Sequence, residues 1–64
     1  MLKEGQVYKY EKNKFEIEKI ENGLVFVKYI PYKNVIVSTK WIQEYFFKKM
    51  VNVNVYQLQN KTKK

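Results

Sequence analysis

The chain has 64 residues and a net charge of +7, which comes from 13 lysines against six glutamates. A chain of this length has room for one domain, and such a domain buries only about 60% of the surface that its unfolded state exposes. Cysteine, histidine, aspartate and arginine are absent, so we expect no disulfide, no metal site, no cofactor and no catalytic residue.

The first two predicted strands come from stretches in which polar and apolar residues alternate. They span residues 6–10 and 15–20 and are joined by a polar turn over residues 11–14. Ile20 falls on the opposite face from the other apolar residues of the second strand. We therefore predict a β-bulge near Glu18-Lys19, which returns Ile20 to the apolar face.

A third strand follows the strongest turn signal in the chain. Asn22-Gly23 predicts a two-residue type I′ turn, which needs positive φ at both of its central positions. Leu24–Ile30 predicts a strand that ends at Pro31, because proline cannot donate to a ladder. These three strands form an antiparallel meander, and Val35–Val37 predicts a short fourth strand after it.

A helix is predicted between the fourth strand and the last one. Ser38 and Thr39 are good helix N-cap residues, and they precede a run of apolar residues at helical spacing. The helix is expected over residues 40–49. Residues 51–55 alternate valine with asparagine, which predicts a last strand with one buried face.

Four short motifs between residues 5 and 55 share the spacing of a known group of small proteins. They are Gly5-x-x-Tyr8, Phe15-x-Ile17, Val25-x-Val27 and Trp41-Ile42-x-x-Tyr45-Phe46. This pattern resembles short SH3-like proteins encoded by phages and plasmids. The place of the helix between strands four and five resembles the SH3-like barrel too, with an OB-fold as the rival architecture. The resemblance implies a mainly β fold, a small SH3-like five-stranded barrel with one short helix, and a role in binding a host factor or nucleic acid.

The predicted domain covers residues 1–58, and residues 59–64 are expected to form a disordered basic tail. Three lysines lie in this tail. No apolar run follows Met1 as in a signal peptide, and the longest apolar stretch, Leu24–Val27, is too short to span a bilayer. We therefore expect a protein of the bacterial cytoplasm with no membrane partner.

Basic and aromatic residues on one strand face are the first candidates for binding. We place Val25 and Val27 inward, so Phe26 and Lys28 point outward. An exposed phenylalanine can stack on a base while lysines neutralise phosphates, although Phe26 has an alternative role in covering a second small core. The predicted nucleic-acid site on this side of the molecule is Lys9, Phe26, Lys28, Tyr32 and Lys33.

The predicted helix carries more aromatic residues than one apolar stripe can bury. With Ile42 and Phe46 assigned to the core, Phe47 is the residue that we expect to be exposed. Exposed helix aromatics more often contact protein than nucleic acid, which favours a protein partner or a homodimer. The predicted contact residues here are Lys40, Trp41, Tyr45, Phe47 and Lys48.

All of the basic side chains are lysines, which limits the kind of nucleic-acid binding that is possible. Lysine supplies point charge for phosphates but lacks the planar fork with which arginine reads guanine. We therefore predict a non-enzymatic module that binds single- or double-stranded nucleic acid with little sequence specificity and strong salt dependence. The alternative is a phage-encoded inhibitor that binds a host protein such as a defence nuclease, as anti-CRISPR proteins do, or RNA polymerase.

Overall fold

The computed structural model describes residues 2–33 and 36–59. It is mainly β, with five strands in one antiparallel sheet of order β4-β3-β2-β1-β5 and one short helix. The strands β4 and β5 are the two edges of this sheet in the described part of the chain, so closure into the SH3-like barrel is not confirmed. The elements are β1 Val7–Tyr10, β2 Asn13–Glu21, β3 Leu24–Ile30, β4 Ser38–Gln43, α1 Glu44–Asn52 and β5 Gln57–Leu58.

The predicted three-stranded meander is confirmed, including its bulge and its second turn. The register of β2 against β3 shifts between Ile17 and Lys19, which brings Ile20 opposite Val25. The Asn22-Gly23 turn has positive φ at both positions, 54° and 76°. The first turn is shorter than predicted, because Tyr10 already pairs with Asn13 and only two residues connect β1 to β2.

The predictions for β4 and for the start of the helix are wrong. The fourth strand is Ser38–Gln43, so Ser38 and Thr39 are strand residues and not helix caps. The helix begins at Glu44, after Gln43, whose side chain makes no capping hydrogen bond. The reason is tertiary: β4 pairs with β3 from Leu24↔Gln43 to Tyr29↔Ser38, which satisfies backbone groups that β3 would otherwise leave unpaired. Of the predicted strand 35–37, residue 35 lies outside the described residues.

The predicted last strand over residues 51–55 is also wrong. Val51 lies in α1, and the chain reverses directly after the helix, where Asn54 adopts a positive φ of 69°. The backbone N–H groups of Val55 and Tyr56 both donate to the Met50 carbonyl, at 2.8 and 3.1 Å. Asparagine tolerates this left-handed conformation, so the alternating valines and asparagines form a helix end and not a strand.

The last strand, β5, is instead the two-residue segment Gln57–Leu58, which pairs with β1. The Gln59 N–H continues the pairing by donating to the Val7 carbonyl at 2.7 Å. Residues 60–64, the rest of the predicted basic tail, lie outside the described residues. No helix in the described part of the chain is long and apolar enough to cross a membrane.

The core lies between α1 and one face of the sheet, which we call the inner face. Phe47 is fully buried and packs its ring against those of Tyr8 and Tyr56, with centroids 5.3 and 4.9 Å apart. Val25 and Val27 point into this core, as predicted. Among the described residues, those buried in this core are Tyr8, Phe15, Ile17, Val25, Val27, Phe47 and Tyr56.

The prediction that Phe47 is exposed is therefore wrong, and the assignment of Phe46 to the core is wrong with it. Because α1 begins at Glu44, its inward stripe is Phe47, Met50 and Val51, at spacings of three and four residues. Phe46 lies at the margin of this stripe, about 100° around the helix from Phe47, and is 42% exposed. The error follows directly from starting the helix four residues too early.

Two core tyrosines are expected to make the fold less stable at alkaline pH. Burial raises the pKa of both Tyr8 and Tyr56 above the ordinary value of 10.0. Because the folded state holds these protons more tightly than the unfolded state, their contribution is complete below pH 10 and decreases as the pH rises toward the folded pKa values. We expect the urea midpoint to fall above about pH 10.

The matched comparison separates this effect from other changes in the protein over the same pH range. A Tyr8→Phe/Tyr56→Phe protein should lose less stability between pH 9 and pH 11 than the wild type, whereas Tyr45→Phe should follow the wild type. Equal losses in all three proteins would show that the buried phenols do not cause the decrease.

Candidate functional site

The second face of the sheet, which the helix does not cover, carries both lysines and aromatic residues. Directly paired residues of antiparallel strands point to the same side, so the strand register defines this face. It places Lys9 opposite Lys14, Phe26 opposite Trp41, and Lys28 opposite Glu16. We call it the outer face, and its main residues are Lys9, Lys14, Glu16, Lys19, Phe26, Lys28 and Trp41.

One end of the outer face carries three lysines that form no ion pair in the described part of the chain. Lys9, Lys12, Lys14 and Tyr32 line an open depression of about 290 Å³. Within the described residues, no carboxylate forms an ion pair with any of these three lysines, since the ion pairs there involve Lys19, Lys28 and Lys48. We call Lys9, Lys12 and Lys14 the basic cluster. Like charges placed directly opposite each other destabilise a sheet, so Lys9 and Lys14 weaken the pair of strands that carries them.

Tyr32 lies at the edge of the basic cluster and is held there. Tyr32 is 62% exposed, and the Lys12 ammonium lies 5.5 Å from the centroid of its ring. The backbone N–H of Tyr32 donates to the Asn13 side-chain oxygen at 3.0 Å, which ties the loop after β3 to the β1–β2 hairpin. Lys33 is exposed and lines a neighbouring depression that also includes Tyr32.

The other end of the outer face has balanced charge. Phe26 and Lys28 point outward as predicted, but Lys28 forms an ion pair with Glu16 at 4.0 Å. The Lys19 ammonium lies 5.0 Å from the Phe26 ring centroid and 3.1 Å from the Glu21 carboxylate. These lysines are already partly neutralised, so the outer-face lysines without an ion pair in the described part of the chain are those of the basic cluster.

The structure does not bring the other predicted residues to this site. The Lys40 ammonium lies 5.3 Å from the Tyr29 ring centroid, on the side of β4 that shares the inner face. Lys48 forms an ion pair with Glu44 along the helix at 3.2 Å. Tyr45 is 71% exposed on α1. Phe47 is buried and therefore belongs to no contact surface.

Two members of the basic cluster, Lys12 and Lys14, are absent from the sequence-predicted site. Their role depends on the length of the first turn. With a four-residue turn Lys14 is a loop residue, but with a two-residue turn it pairs directly with Lys9. The signal that identifies them is the hairpin register, and residue type alone does not supply it.

Comparison with protein-family models, with curated protein sequences and with solved structures gives no match for this chain.

Proposed function

We propose that the outer face binds nucleic acid, preferentially single-stranded, with little sequence specificity, through the basic cluster and Tyr32. The observation that carries the proposal is the group of three lysines around one exposed aromatic ring, without a carboxylate partner among the described residues. A phosphate backbone supplies the missing negative charge, and an unpaired base supplies a stacking partner for the ring.

The expected energetics decide between single and double strands. Stacking of an unpaired base on an aromatic side chain contributes about 1–3 kcal/mol, and a paired base in a duplex is not available for it. The lysines act on phosphates of either form. Because Tyr32 protrudes beside the lysines, single strands gain both contributions and duplexes gain one.

Weak sequence specificity follows from the chemistry of the site. Lysine ammonium groups contact phosphates as point charges and do not read base edges in the bidentate manner of arginine. Stacking is similarly tolerant, since every base has an aromatic face. Barrel closure and a phage or plasmid origin are supported by the motif resemblance alone. Nucleic-acid binding by the basic cluster does not depend on either of them.

The test is a fluorescence-anisotropy titration with a labelled oligothymidylate, repeated with a duplex, at 50 and 200 mM salt. Neutralisation of three phosphates on a single strand lowers the affinity by about twentyfold over this salt range. We expect tighter binding of the single strand at both salt concentrations. Absence of binding at 50 mM salt would overturn the proposal.

A second candidate is contact with a partner protein through the helix. The observation in its favour is that Tyr45 and Phe46, which are adjacent on α1, are both exposed. A Tyr45→Ala/Phe46→Ala protein that stays folded should then lose a partner that the wild type retains in affinity purification. This variant leaves the basic cluster intact, so oligonucleotide binding distinguishes the two candidates.

A further inference from the structure

β4 is an edge strand with few of the features that usually prevent edge-to-edge pairing. It has six residues, and all of them except Ile42 are exposed. No described strand lies on its second side. Edge strands are commonly protected by prolines, bulges, charged residues or a covering segment. Lys40 is the one such feature of β4, which has no proline and pairs with β3 in unbroken register.

We infer that a second copy of this chain pairs antiparallel along β4, with Trp41 of each copy directly opposite Trp41 of the other. A two-fold axis perpendicular to the sheet generates such a pair and keeps each outer face on the same side. Paired residues point to the same side of the sheet, and side chains alternate along a strand. Each residue can therefore pair only with one at an even separation in sequence, so one residue lies on the axis and pairs with its own copy. Only an axis at Lys40 or Trp41 pairs five residues of β4.

Charge selects between these two registers. An axis at Lys40 places two ammonium groups directly opposite each other, which is destabilising. An axis at Trp41 places each Lys40 opposite Ile42 of the second copy and brings the two indole rings together. Trp41 is 62% exposed and has Phe26 as its neighbour on β3, so the second register also joins two aromatic pairs into one apolar strip.

The inferred dimer does not rest on nucleic-acid binding, but it has a consequence for it. The two sheets become one continuous sheet, with both outer faces on the same side and a basic cluster on each side of the central strip. A single strand that reaches both clusters binds with an avidity that one copy cannot supply.

The first test is sedimentation equilibrium of the free protein, without nucleic acid, at roughly 0.01–1 mM chain, because pairing of five residues gives a weak contact. The wild type is expected to shift from one copy to two over this range. Trp41→Lys and Trp41→Glu should each remain monomeric, since like charges then meet on the axis, whereas their equimolar mixture should dimerise. Tyr45→Lys, on the helix, should dimerise as the wild type does.

A second measurement tests the register and does not depend on the charge variants. The chain has no cysteine, so Trp41→Cys introduces a single thiol. Directly opposed residues meet the Cα–Cα distance of a disulfide, about 4.4–6.8 Å, and diagonal neighbours do not. Under mild oxidation we expect Trp41→Cys to cross-link at least several times faster than Lys40→Cys.

Three results would overturn the inference. They are a wild type that stays monomeric at the highest concentration, a mixture of the two charge variants that does not dimerise, and faster cross-linking of Lys40→Cys. None of them bears on oligonucleotide binding by the basic cluster, so the two proposals fail separately.

Discussion

A Phe47→Ala protein is expected to be largely unfolded at 25 °C. Phe47 is the one residue of α1 that is fully buried, and its ring contacts the rings of Tyr8, Phe15 and Tyr56. Truncating a buried phenylalanine to alanine costs about 3–5 kcal/mol. A core of this size supplies only about 3–5 kcal/mol in total, so the loss is comparable with the whole stability.

The measurement is urea unfolding followed by far-ultraviolet circular dichroism. Phe46→Ala is the matched control, because it removes the same atoms from the next position, where the side chain is 42% exposed. We expect it to cost less than about half as much. Phe47→Leu keeps most of the buried volume and gives a measurable midpoint if the alanine variant has none. Equal midpoints for the two alanine variants would contradict the assignment of Phe47 to the core.

Replacing Lys9, Lys12 and Lys14 together by glutamine is expected to remove most of the affinity for single strands. Each phosphate contact contributes roughly tenfold at 50 mM salt, so the loss should exceed about a hundredfold. The salt dependence should also become shallower by about 0.7 per lysine. Stability should not fall, because the substitution removes the repulsion between Lys9 and Lys14.

The control has the same change in net charge at a different place. It replaces Lys40, Lys48 and Lys49, which lie on β4 and α1, by glutamine. If binding is localised on the outer face, this protein keeps most of its affinity and its salt slope. Equal losses in the two triple variants would show that net charge, and not the basic cluster, causes the binding.

The accuracy of the sequence-based predictions follows the range of the interactions involved. Apart from the length of the first turn, the first thirty residues were predictable because their signals are local. The turn at Asn22-Gly23 depends on φ at two residues, and the bulge is visible in the displaced position of Ile20. Alternation identified the inward face of β3 correctly from Val25 and Val27.

The second half of the fold depends on contacts that are distant in sequence. Trp41 and Ile42 have helical spacing with Tyr45, yet β3 recruits them as an edge strand because its own backbone groups need partners. Starting the helix too early rotated its predicted face, which exchanged Phe46 and Phe47. The alternating valines predicted a strand, but the positive φ of Asn54 reverses the chain there and no strand forms.

The candidate site was partly predictable for the same reason. Lys9, Tyr32 and Lys33 were identified by residue type and position near a loop. Lys12 and Lys14 could be identified only from the pairing register of the first hairpin. This register shifts by two residues between a two-residue turn and a four-residue turn. The burial of Phe47 could be recognised only after the start of the helix was known.

The exposure of Trp41 has a spectroscopic consequence. It is the only tryptophan in the chain, and its indole lies mostly in solvent on the outer face. Its emission in the folded protein is therefore already close to that of an unfolded chain. Intrinsic fluorescence is thus a poor measure of folding here but a direct measure of whatever covers the outer face, whereas the packed rings of Tyr8 and Tyr56 report on the core in near-ultraviolet circular dichroism.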